Sequence, residues 1–118
     1  QVRVQLNEWY QGKCQICGKT FPERDGKPFF IAGYLVERKN KRYIDTPGNA
    51  LCLCAEHFAQ WRHAAIEAPD IKEQILNIPE NPKDQSGKPQ LQFTMLGQQH
   101  SITYHSDHFI ALKTLFNE

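Results

Sequence analysis

An α+β fold is predicted for this chain of 118 residues by three observations. Short runs rich in aromatic and β-branched residues, at 29–32, 34–37 and 50–53, stand between a helix end and a segment of 3.6-residue periodicity. Nearer the C-terminus, Leu91, Phe93 and Met95 alternate with polar residues, Gly97-Gln98 can turn the chain, and Ile102 and Tyr104 alternate on the return. Finally, the four cysteines fall into two groups, near positions 15 and 53, which can tie distant segments together.

In chain order, Asn7 to Gly12 reads as the end of a short helix stopped by glycine. A tight turn, Cys14-Gln-Ile-Cys17-Gly18-Lys19, follows. The two strand runs around Gly33 come next, then a Pro47-Gly48-Asn49 turn and the short apolar strand 50–53. From Ala55 to about Ala68 the pattern is helical, with Phe58, Trp61 and Ala65 on one face. Pro69 ends that helix, and Asp70 with Glu73 forms a capping box for another carrying Ile71, Ile75 and Ile78. Residues 79–90, rich in Pro, Lys, Asp and Gly, form an exposed loop ahead of the C-terminal hairpin. Ser106 or Asp107 caps a last helix with Phe109, Leu112, Leu115 and Phe116 on one side.

The length suits one domain over 1–118 with a single core. Within it, 7–68 is expected to be a metal-organised subregion, and 69–118 to supply a helix, loop, β-hairpin and closing helix. With 40% hydrophobic and 23% charged residues the composition is that of an ordinary globular fold. No apolar run reaches the roughly 18 residues needed to span a bilayer, and no signal peptide opens the sequence, so no membrane partner and a cytoplasmic location are expected. The chain begins Gln-Val-Arg, not Met, which suggests a piece of a longer protein. The net charge of +1 is unevenly spread, with ten Lys/Arg against six Asp/Glu in 1–63 and four against seven in 64–118. Such an imbalance points to a polyanionic partner or to a lysine-rich solvated hairpin.

Metal is the chemistry these cysteines indicate. A Cys-x-x-Cys turn brings two thiolates to one point, and Gly18 relieves the backbone behind it. Cys54 and His57, spaced three apart at a helix start, reach one side of the first turn, where the helix dipole favours thiolate. The expected cofactor is one structural Zn2+ held by Cys14, Cys17, Cys54 and His57. Cys52 competes with Cys54 on spacing grounds, and is read as a buried apolar thiol. A redox role for Cys14 and Cys17 lacks the surrounding βαβ pattern. His63, His100, His105 and His108 are scattered and read as surface or satisfied residues.

The order of knuckle, hairpin and ligand-bearing helix is similar to the treble-clef arrangement. The stretch from Trp9 to Ala65 resembles the HNH endonuclease family in Cys-Gln-Ile-Cys-Gly, Phe-Phe-Ile-Ala-Gly-Tyr-Leu-Val and Asp-Thr-Pro-Gly-Asn-Ala-Leu-Cys-Leu-Cys-Ala-Glu-His-Phe. The resemblance implies a ββα-metal-like half with a retained Asn49. It also implies that the family's catalytic histidines correspond to Gly33, Tyr34 and Phe58. Those side chains can neither activate water nor hold a divalent ion, so no catalytic residue and no enzyme activity are expected. The whole chain is also similar to the C-terminal zinc region of large bacterial ATPases of the NO VEIN/sacsin type. The expected function is a non-catalytic zinc domain contacting DNA or RNA through a basic hairpin, Arg38, Lys39, Lys41 and Arg42. Docking onto a protein or onto another domain of the same chain is the alternative, and a nuclease with rearranged ligands such as His63 is the third reading.

Overall fold

Leu6 and Cys52 lie at the heart of one small apolar cluster, with Phe30 and Ala50, and a larger cluster built on Leu51, Phe93, Ile102, Tyr104 and Phe109 fills the other side of the molecule. The computed structural model describes residues 1–36, 46–78 and 88–117. The basic run Arg38, Lys39, Lys41 and Arg42, and most of the loop expected over 79–90, lie outside the described residues. Among the described residues the elements are α1 (Val2–Tyr10), β1 (Ile31–Tyr34), a 3-10 turn (Pro47–Asn49), β2 (Ala50–Leu53), α2 (Ala55–His63), β3 (Ile66–Glu67), α3 (Ile71–Asn77), β4 (Gln90–Met95), β5 (Gln98–Thr103) and α4 (Ser106–Phe116). They form a mixed α+β arrangement with two small antiparallel sheets, β1-β2 and β3-β4-β5.

The stop after α1 falls where glycine predicts it. Gln11 and Gly12 both adopt positive φ, 52° and 79°, and the Gln11 amide donates to the Asn7 carbonyl at 2.8 Å. A Cβ on Gly12 would stand 2.5 Å from the Pro28 Cβ, so the helix end and the loop before β1 touch here. The two strand runs expected around Gly33 become one strand, β1, paired with β2 from Ile31↔Leu53 to Tyr34↔Ala50. All four β2 residues are buried because both faces of this hairpin are covered. Ala50 and Cys52 pack toward α1, while Leu51 and Leu53 join the larger core. Asn49 closes the base of the hairpin, accepting from the Val36 amide at 2.9 Å and donating to its carbonyl at 3.0 Å.

Three boundaries differ from the sequence expectation, each for a tertiary reason. Instead of running to about Ala68, α2 stops at His63 and Ala64 turns extended. Ile66 and Glu67 then pair with Met95 and Thr94, so strand hydrogen bonds and burial of Ile66 against the core outweigh local helix periodicity. The β4–β5 turn uses Leu96-Gly97, not Gly97-Gln98, with φ of 55° and 75°. Positive φ at both positions suits a two-residue turn matching strand twist, and the register Met95↔Gln98 requires it. The α4 cap is His105, whose Nδ1 accepts from the Asp107 amide at 3.1 Å, in place of Ser106 or Asp107. At α3 the Asp70 side chain accepts from the Glu73 amide, as the sequence predicts.

The helix α4 lies on the Pro47–Asn49 turn. A Cβ on Gly48 would sit 2.9 Å from the Ala111 carbonyl oxygen, and backbone cannot move aside as a side-chain tip can. Gly48→Ala is therefore expected to destabilise by about 1–3 kcal/mol, the usual cost of overpacking. Urea denaturation should show a lowered midpoint with an unchanged slope.

Candidate metal centre

The knuckle is built by the chain end of α1. After Gly12, the Cys14 amide takes the Lys19 carbonyl at 3.0 Å and the Gly18 amide takes the Cys14 carbonyl at 2.8 Å, closing the loop with Gly18 at φ 78°. The Ile16 amide points at the Cys14 sulfur at 3.4 Å. On the opposite side, Cys54 is the N-cap of α2, and its sulfur accepts from the His57 amide at 3.4 Å. A thiol at an N-cap with a histidine at the third helical position puts both ligand atoms over the first turn.

These four side chains converge. The ligand atoms of Cys14, Cys17, Cys54 and His57 lie within 4.8 Å of one another and can hold one metal ion. The separations are informative in themselves. A tetrahedron with sulfur about 2.3 Å and nitrogen about 2.0–2.1 Å from its centre has S···S edges near 3.8 Å and S···N edges of about 3.5–3.6 Å. The observed Cys17–Cys54 separation is 3.8 Å. His57 Nδ1 stands 3.6 Å from the Cys14 sulfur and 3.5 Å from that of Cys54. Without a cation this grouping disfavours charge. Burial pushes the Cys17 thiol up to about 11, with the neighbouring Cys14 and Cys54 adding to the shift, and burial also lowers the His57 imidazole. A divalent ion reverses that balance, since thiolate and neutral imidazole are the forms that ligate.

Cys52 stays out of the group. It is fully buried against Leu6 and Phe30 on the α1 face, and burial raises its thiol to about 12. It and Cys54 are two apart, but the chain leaves the strand at Cys54 to start α2, so their sulfurs face different surroundings.

Gln15, a spacer residue in the Cys-x-x-Cys turn, carries a structural role that the sequence reading missed. Its backbone amide donates to the Cys52 carbonyl at 2.9 Å, and its side-chain oxygen accepts from the Cys52 amide at 2.8 Å. Its backbone carbonyl accepts from the Thr103 amide at 2.9 Å, and its side-chain nitrogen donates to the Thr103 carbonyl at 3.1 Å. One residue of the knuckle thus stitches β2 to β5 and joins the two sheets. A glutamine between two cysteines gives no signal of this, because its partners are 37 and 88 residues away.

The remaining histidines separate. His63 is exposed at the end of α2, while His100 is half-buried, stacked on Phe93 at 5.6 Å and edge-on to His57 at 6.1 Å. Of the two readings offered for His108, surface or satisfied, the surface one does not apply: it is fully buried between Trp9 and Tyr104, with Nδ1 hydrogen-bonded to the Tyr10 hydroxyl. At the position matched to the family's catalytic segment, Gly33 faces Leu53 and Phe58, its built Cβ lying 2.9 and 3.6 Å from them. Trp61 fastens α2 to this strand through a 2.9 Å hydrogen bond to the Tyr34 carbonyl.

No family model and no curated protein matches the chain. Its fold is similar to that of a solved structure, a modification dependent TagI restriction endonuclease, with a TM-score of 0.56 and 18% sequence identity. The match covers 89% of this chain and 33% of the other, so the chain spans about a third of that protein's length. The likeness corrects the expectation that the chain is no enzyme. That expectation rested on residue types at Gly33, Tyr34 and Phe58, whereas the neighbour sharing the fold is an endonuclease. Among the described residues no helix is long and apolar enough to cross a membrane. A small α+β fold similar to that of a restriction endonuclease, with Cys14, Cys17, Cys54 and His57 close enough together to hold one metal ion, is what the structure shows.

Proposed function

We propose that this chain is a zinc-held domain of a nuclease-type protein and that it engages nucleic acid. The observation that carries the reading is a Cys3His cluster, three of whose ligand separations match tetrahedral edges, within a fold similar to that of a restriction endonuclease. Three thiolates and an imidazole are a donor set that selects zinc over magnesium or calcium, and four protein ligands make a closed, structural site. The sequence of knuckle, β1-β2 hairpin and α2 supports a treble-clef description of residues 7–68, inside a single domain over 1–118. Arg38, Lys39, Lys41 and Arg42, between β1 and β2 in the chain, are the proposed phosphate contacts.

The test is duplex DNA binding followed by fluorescence anisotropy as a function of salt. Three or four phosphate contacts give a log–log slope near −3 and micromolar or weaker affinity with little sequence preference. Charge reversal of the four cations should flatten that slope without changing zinc content. Absence of any retention at about 50 mM salt, where such contacts are strongest, would sink the reading. Nicking of supercoiled plasmid with added Mg2+ or Mn2+, lost in Cys54→Ser, would extend it from binding to catalysis.

A further inference from the structure

The three cysteines of the cluster differ in what surrounds them. Cys14 is 3% exposed, belongs to the larger core and has its sulfur approached by the Ile16 amide at 3.4 Å. Cys17, at the other end of the same turn, is exposed, and Cys54 is half-buried at the start of α2. The Cys17 and Cys54 sulfurs stand 3.8 Å apart, in van der Waals contact, at the exposed side of the cluster. Cys52 is buried in the separate cluster against α1.

Oxidation of a cysteine follows its thiolate character and its access to solvent. With a metal bound, all three sulfurs of the cluster are thiolates, so access alone divides them. An oxidant arriving from water meets Cys17 and reaches Cys14 only by opening the core. Cys54 is then the partly solvated thiolate in contact with the oxidised sulfur. Once those two are spent, Cys14 and His57 remain, two donors where zinc needs four.

We propose that Cys17 and Cys54 form a peroxide-sensitive switch that releases the metal and stores the oxidised state as a Cys17–Cys54 disulfide. The Cys17 thiolate attacks one oxygen of hydrogen peroxide, forming an S–O bond while the O–O bond breaks and hydroxide leaves. The Cys54 thiolate then attacks the Cys17 sulfur, forming the S–S bond and expelling the remaining oxygen as hydroxide. The two thiolates lose two electrons, the peroxide gains them, and two solvent protons turn the leaving groups into water. The crosslink joins residues 37 apart in sequence and holds the knuckle beside α2 while the metal is away. Reduction therefore returns all four donors to a site still assembled. Gln15 lies in the same turn and ties β2 to β5, so metal release also reaches the joint between the two sheets. The inference rests on the zinc reading above and names how that site is regulated.

The experiment treats the zinc-loaded chain with hydrogen peroxide and follows free zinc with a chromogenic chelator. Peptide mass spectrometry without reductant then maps the disulfides. One equivalent of zinc should appear together with one Cys17–Cys54 disulfide, and dithiothreitol followed by zinc should restore the full metal content. Cys52→Ser should release zinc as the wild type does. Cys17→His, which still offers a zinc donor, should keep its zinc through the same treatment. The disulfide map of the wild type decides the matter even if that variant does not fold. A Cys14–Cys17 or Cys52-containing disulfide, terminal oxidation to sulfonic acid without a disulfide, or failure to reload after reduction overturns the switch. So does zinc retained with all thiols intact, and that result leaves the zinc reading standing. A wild-type chain that binds no zinc before any peroxide is added removes the zinc reading and the switch together.

Discussion

Stripping the metal is expected to abolish the cooperative unfolding transition of this chain. Metal binding supplies about 10–16 kcal/mol in zinc-finger peptides, comparable to or larger than the whole stability of about 5–15 kcal/mol that folded domains retain. The architecture makes the dependence stronger than four ligands alone imply. Gln15 lies between Cys14 and Cys17 and holds both β2, through Cys52, and β5, through Thr103. If the knuckle loosens, the joint between the two sheets loosens with it. Chelation, or Cys14→Ser or Cys54→Ser, should therefore remove one equivalent of zinc and broaden thermal unfolding over the whole chain, the C-terminal hairpin included. Cys52→Ser should keep the metal, because that sulfur lies in the α1 cluster, and should show only the cost of a buried hydroxyl, about 1–3 kcal/mol. Elemental analysis and circular dichroism melting decide the matter. Full metal content in Cys54→Ser, or its loss only in Cys52→Ser, would exchange the two assignments.

A loss of stability below neutral pH, carried by His108, is the second large effect. The Tyr10 hydroxyl accepts from the His105 amide at 3.1 Å and so directs its proton to His108 Nδ1 at 2.5 Å. The imidazole hydrogen is then on Nε2, a buried atom that meets no hydrogen-bond partner of good geometry among the described residues. Burial lowers the His108 pKa to about 4, more than the nearby Gly48, Pro47 and Ala50 backbone raises it. In the unfolded chain the group titrates near 6.5. Above that value both states are neutral and the group adds no pH dependence. As pH falls from about 6.5 to 4, only the unfolded chain takes up the proton, so stability falls by up to about 3 kcal/mol. Urea titrations at pH 7.5, 6 and 5 in excess zinc should show that slope in the wild type and a flatter one in His108→Gln. Coincident slopes would place the acid sensitivity elsewhere.

Local chemistry was legible wherever one residue type or spacing is sufficient. Gly12 can take the second of the two positive φ values that turn the chain away after α1, Asp70 can cap α3, and the alternation of Leu91, Phe93 and Met95 can bury only one face of β4. The group that could hold a metal was legible for the same reason: a Cys-x-x-Cys turn and a Cys-x-x-His helix start each present two donor atoms without help from the rest of the chain. Three things depended on partners distant in sequence. Ile66 and Glu67 left the helical pattern because β4 offered them strand pairing. His108 is buried because Trp9, Tyr10 and Tyr104 surround it, and its amphiphilic ring suits a helix surface and a core equally well. Gln15 became the seam of the molecule because its amide reaches two strands at once. The sequence by itself determined which four side chains can come together as a possible metal-holding group, and most of the elements, since these follow from spacing and local backbone preference. Only the tertiary structure decided how the two sheets meet and which histidine is buried, since burial and long-range hydrogen bonding are properties of the neighbours a residue acquires on folding.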